Sequence, residues 1–79
     1  MEEKKQITED ELIGFIANKC EMNPEQINSE SKLHDELGLD SLDVVELSMD
    51  IECHFNMQIL DENIERVTTV KELLNGINK

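Results

Sequence analysis

Among the side chains in this 79-residue sequence that could do chemistry, the most telling group is Asp40, Ser41 and Asp43, within the run Leu37-Gly38-Leu39-Asp40-Ser41-Leu42-Asp43. Gly38 permits a sharp turn, and Asp40 or Ser41 can cap the N-H groups of a helix that begins there. The product is an exposed primary hydroxyl at the first turn of an apolar, acidic helix. A serine so placed can act as a nucleophile, accept a group attached by another enzyme, or merely cap the helix. Nucleophilic attack needs a neighbouring base, yet the two histidines, His34 and His54, fall in the preceding loop and beyond the third turn of the helix. Asp40 and Asp43 could exchange protons as a pair, although exposed carboxylates at a helix start ordinarily cap it.

Metal chemistry has equally little support. Cys20, His34, Cys53 and His54 lack paired-ligand spacing, and the sequence has no Asp-x-Asp-x-Asp-Gly calcium loop, so no metal site is expected. Weak attraction of divalent ions to the acidic surface is expected instead, through screening of its self-repulsion. Attachment of a group by a separate enzyme therefore stands beside plain helix capping. The tripeptide Asp40-Ser41-Leu42 alone favours the cap.

Three main helices must position these residues. Thr8-Glu9-Asp10-Glu11 has the form of a capping box, and Leu12, Ile13, Phe15, Ile16 and Cys20 follow at helical spacing, predicting a first helix from about Glu9 to Glu21 with Cys20 facing the core. Asn23-Pro24 ends that helix. A long loop then reaches Asp40, pinned by Ile27, Leu33, Leu37 and Leu39. The second helix starts at Asp40 or Ser41, with a core stripe of Val44, Leu47, Ile51 and Phe55. Leu42, Val45, Glu46, Met49, Glu52 and Cys53 form a neighbouring, more open face. A short helical turn from Asp61 to Val67 carries Ile64 inward. Thr69-Val70-Lys71-Glu72 forms another capping box for a last helix bearing Val70, Leu73, Leu74 and Ile77, with Gly76 at its fraying end.

Composition agrees with this layout. Two Phe, no Trp and no Tyr leave the core to Leu, Ile, Val and Met, which suits an all-α bundle in a single domain, 1–79. The formal net charge of -12 makes nucleic acid and anionic membrane poor partners. From Leu33 to Glu65 there are ten carboxylates and no Lys or Arg, which points to partners with basic docking surfaces and, through self-repulsion, to a monomer. Only two cysteines, no CxxC, no secretory apolar segment and no membrane-length apolar run predict a reduced cytoplasmic protein without membrane insertion.

Across roughly Thr8 to Ile77 the chain resembles the acyl carrier proteins. The resemblance is carried by Asp35-Glu36-Leu37-Gly38-Leu39-Asp40-Ser41-Leu42-Asp43, then Val45-Glu46-Leu47, then Phe55, Ile59, Asp61 and Thr68-Thr69-Val70. It implies a small four-helix bundle of three main helices plus one short one with a long first loop, a non-enzymatic carrier whose Ser41 bears a covalent 4'-phosphopantetheine arm. A phosphopantetheinyl transferase would attach the arm, and its thiol would hold growing acyl chains as thioesters for fatty acid synthesis. The phosphate so placed gains about 0.3–1 kcal/mol from the free N-H groups and dipole of the helix start. By the same resemblance, partner enzymes dock through positions matching Asp40, Leu42, Asp43, Val45, Glu46, Met49 and Glu52. An apolar face in an acidic rim suits transient docking, while a solvated helix face is the plainer reading.

The sequence departs from the family at four places. Leu60 follows Ile59 where a proline is common, which predicts a less rigid turn into the third helix. Ser48 and Asp50 replace small or apolar residues, and Ser48 would border the space an acyl chain enters. Cys53 and His54 replace carboxylates, thinning the acidic patch at its far end; with no Lys or Arg nearby in sequence, Cys53 reads as an ordinary half-buried thiol. Carriers of polyketide, aminoacyl or D-alanyl cargo share the same arm, and an acidic interaction bundle with no arm is the alternative of a different class.

Overall fold

The computed structural model describes residues 6–59 and 63–78. Three helices, α1 (Glu9–Cys20), α2 (Ser41–Phe55) and α3 (Val70–Ile77), are joined by loops that contain 3-10 turns at Pro24–Gln26 and Ile64–Arg66. No strand occurs among the described residues; an isolated bridge pairs Lys32 with Thr69. This is the expected all-α bundle of the small carrier fold. The Ile64–Arg66 turn is the short fourth element, and Leu60, Asp61 and Glu62 lie outside the described residues.

The capping box predicted at the start of α1 is built. Thr8 Oγ1 accepts from Glu11 N at 3.1 Å while Glu11 Oε1 accepts from Thr8 N at 2.8 Å, satisfying two N-H groups that the helix cannot. Helix α1 stops at Cys20, one residue short of the predicted end. Glu21 turns left-handed (φ 56°), and Met22 N donates to Ala17 O to close the last turn. Asn56 ends α2 in the same manner, with φ 52° and Met57 N donating to Glu52 O.

The third helix departs from the prediction at both ends. Thr69 accepts from Glu72 N, but Glu72 Oε1 accepts from Thr68 N at 2.8 Å and Thr68 Oγ1 at 2.9 Å, so the box does not close on Thr69. Pairing of the loop explains this: Leu33 N donates to Thr68 O and Val70 N to Ser31 O, which holds Thr68 and Thr69 against the long loop and turns Thr68 toward the Glu72 carboxylate. Gly76 is not a fraying end either. It is buried inside α3, which runs on to Ile77 because Asn78 is clamped to Ile7 by two hydrogen bonds of 2.9 Å, Ile7 N to Asn78 Oδ1 and Asn78 Nδ2 to Ile7 O.

Leu12 and Ile16 of α1, Leu47 and Ile51 of α2, Leu33 of the loop, and Val70 and Leu73 of α3 are fully buried. The predicted stripe of α2 holds at Val44, Leu47 and Ile51, while Phe55 is half-buried in a ring cluster with Phe15 and His54. Three of the four loop pins, Ile27, Leu33 and Leu39, are buried, and Leu37 is half-buried. Cys20 is half-buried at the edge of the core, its thiol donating to Leu37 O at 3.7 Å. Burial pushes that thiol's pKa up, with Asp43 adding to the shift and Lys19 opposing it.

Candidate functional site

The loop delivers Ser41 through a sequence of local constraints. Lys32 N donates to Glu36 Oε1, and Gly38 N donates to His34 O, which winds residues 32–38 into a turn. Gly38 leaves it with φ 71°, a left-handed conformation that costs a side-chain-bearing residue roughly 1 kcal/mol. A Cβ there would meet open space, so the requirement is conformational and not steric. Leu39 then plunges into the core. His34 Nδ1 lies 3.2 Å from Leu39 O, which selects the tautomer protonated at Nδ1.

Asp40 caps α2. Its Oδ1 accepts from Asp43 N at 2.9 Å, and Asp43 Oδ2 accepts from Asp40 N at 3.2 Å. Ser41 is the first residue of α2 and is exposed, so its hydroxyl stands at the positive end of a 15-residue helix. Beside it opens a cleft of about 360 Å³ lined by Leu33, His34, Leu39, Asp40, Ser41, Val44 and Val67. Its wall is mostly apolar. The exposed hydroxyl, the helix N-terminus and the open approach over Gly38 suit a phosphodiester-linked arm.

The face expected to dock partners is assembled on α2. Leu42 and Met49 are 71% and 59% exposed, Val45 is half-buried, and Cys53, expected to be half-buried, is exposed. Each of its four carboxylates accepts a hydrogen bond within the chain. Asp40 and Asp43 hold each other's backbone, Glu46 Oε1 accepts from Lys19 Nζ at 3.1 Å, and Glu52 Oε2 accepts from Ile59 N at 2.7 Å. Side chains held in this way lose less conformational entropy when a partner binds.

Lys19 escaped the sequence reading, since it lies 27 residues from Glu46 on another helix. It also lies 4.0 Å from Asp43 Oδ1. Its pKa is raised, first by the hydrogen bond to Glu46; burial opposes this next, and the charges of Glu46, Asp43 and Asp50 add to the rise. Ser48 is buried, and its Oγ donates to Val44 O at 2.9 Å, so the hydroxyl is satisfied within the helix. Asp50 is exposed. His54 is exposed at the far end of α2, in edge contact with Phe15 and Phe55 and not assembled with Ser41 into a triad. Among the described residues, no three His, Cys, Asp or Glu side chains converge on a metal position.

Comparison with known proteins agrees with this geometry. Residues 10–77 match the phosphopantetheine attachment site family. The chain is 44% identical over 70 residues to an acyl carrier protein of Chlorobium phaeovibrioides, covering 89% of this chain and 90% of the relative. Similar matches are the acyl carrier proteins of Wolinella succinogenes, 41% identical over 68 residues (86% and 90% covered), and of Chloroherpeton thalassium, 43% identical over 75 residues (90% and 94%). A helical bundle that matches this family over residues 10–77 is thus a prosthetic-group carrier domain. The chain belongs to the acyl carrier proteins, whose prosthetic group is a covalently attached 4'-phosphopantetheine.

Proposed function

We propose that this chain works as a single cytoplasmic carrier domain, monomeric and without catalysis of its own, and that Ser41 is where the arm is attached. The arm supplies a terminal thiol on which acyl groups ride as thioesters, here the growing chains of fatty acid synthesis. The chain's own residues do the rest. Asp40 and Asp43 hold the first turn of α2 so that the Ser41 hydroxyl faces solvent, and its position at the helix N-terminus favours the phosphate that replaces the hydroxyl proton. The apolar wall of the adjoining cleft offers shelter to alkyl groups. Partner enzymes with basic docking surfaces, the phosphopantetheinyl transferase among them, are received by Leu42, Val45 and Met49 within the rim of Asp40, Asp43, Glu46 and Glu52.

The observation that carries this reading is the exposed Ser41 hydroxyl at the reciprocally capped start of α2. Intact mass after incubation with coenzyme A, magnesium and a broad-specificity transferase is expected to rise by one arm in the parent and not in Ser41→Ala, with far-UV dichroism unchanged. Labelling that survives in Ser41→Ala refutes the assignment. Cargo is read by mass from protein isolated with its own synthase: saturated acyl chains support the fatty acid pathway, whereas an aminoacyl, D-alanyl or polyketide load replaces it.

A further inference from the structure

We propose that Lys19 is a built-in counter-ion of the docking face, one with which basic partners must compete for Glu46 and that thereby sets how strongly they bind. The inference rests on the docking reading above and concerns the regulation of that same surface. Lys19 sits in the last turn of α1, where a cation complements the helix dipole, and its side chain is 23% exposed as it lies across to α2. Nζ bonds Glu46 Oε1 at 3.1 Å and approaches Asp43 Oδ1 at 4.0 Å, with Asp50 adding to the field. Asp43 is committed on both oxygens, Oδ2 to the backbone of Asp40 and Oδ1 toward Lys19. In the free protein the centre of this face is therefore less negative than its sequence implies.

An arriving ammonium or guanidinium must either share Glu46 with Lys19 or expel it. Expulsion exposes Lys19 to water and regains only the difference between two ion pairs, so the face discriminates against weakly basic surfaces. Arginine has the advantage over lysine, because its planar fork can engage the remaining oxygen of Glu46 without first displacing the resident cation. Binding is then less salt-sensitive than the ten carboxylates between Leu33 and Glu65 would suggest.

The test is the dissociation constant of the unmodified full chain for a broad-specificity phosphopantetheinyl transferase, without coenzyme A, at low and high salt. Lys19→Gln is expected to tighten binding about two- to five-fold at low salt, the range spanned by an exposed ion pair. Lys71→Gln on α3 makes the same change in net charge and is expected to alter binding less. In a Glu46→Gln background the gain from Lys19→Gln should vanish. A Lys19→Gln no tighter than Lys71→Gln, or a gain that persists without the Glu46 carboxylate, overturns the counter-ion role, and so does weaker binding in Lys19→Gln. If Glu46→Gln alone binds as the parent does, the docking reading fails and takes the proposal with it; weakened Glu46→Gln with no gain from Lys19→Gln refutes the counter-ion alone.

Discussion

Replacing Asp40 with alanine removes the acceptor for Asp43 N and leaves Asp43 to hold the Asp40 backbone by itself. Loss of a capping side chain costs about 1 kcal/mol, and loss of negative charge beside the helix N-terminus about 0.3–1 kcal/mol more. One charge fewer on a chain of -12 relieves self-repulsion and offsets part of this. Asp40→Asn separates the effects, since it keeps the acceptor while losing the same charge. Asp40→Ala is expected to be destabilised by about 1–2 kcal/mol, with Asp40→Asn within about 0.5 kcal/mol of the parent. For a domain of this size the alanine variant should melt about 5–15 °C lower. Melting by far-UV dichroism gives the stability, and transferase loading gives the consequence at Ser41. Both variants lose the same surface charge, so any additional loss in Asp40→Ala reports fraying of the first turn of α2. Equal melting of the two variants would show that the charge matters and the cap does not.

Three further outcomes are expected. Glu72 has its pKa lowered by hydrogen bonds from Thr68, backbone first and hydroxyl second, so its contribution is present above the ordinary carboxylate range near ~4.3 and is lost as pH falls through the lower folded value. Parent and Glu72→Gln should therefore differ in urea midpoint at pH 6 and converge on acidification; a constant gap down to pH 3 contradicts this. Iodoacetamide should modify exposed Cys53 well before Cys20, whose thiol is half-buried with a raised pKa, and urea should remove the difference. Leu73→Ala empties a fully buried site on α3 and should cost about 2–5 kcal/mol by urea unfolding, a smaller loss indicating that the bundle closes around the gap.

The starts of α1 and α2 were legible in the sequence because their caps lie within four consecutive residues, although at α2 only a cap was expected and the structure adds the reciprocal bond from Asp40 N to Asp43. Thr8 with Glu11, and Asp40 with Asp43, need no other part of the chain. The buried stripe of Val44, Leu47 and Ile51 follows likewise from helical periodicity. Since Asp40, Gly38 and the first turn of α2 are all local, the presentation of Ser41 was readable as well.

What the linear order could not supply was the partner of any group whose neighbour is distant in sequence. Glu72 closes on Thr68 because the long loop, through Ser31 and Leu33, holds Thr68 and Thr69 against it. Gly76 stays helical because Asn78 is tied to Ile7, 71 residues away. Lys19 meets Glu46 only once α1 packs against α2, and this converts a segment with no cation of its own into a face that carries one. Local sequence thus determined the helices and the serine's place on them. Tertiary packing alone decided the net charge of the exposed α2 face, because electrostatic contact depends on distance in space and not along the chain.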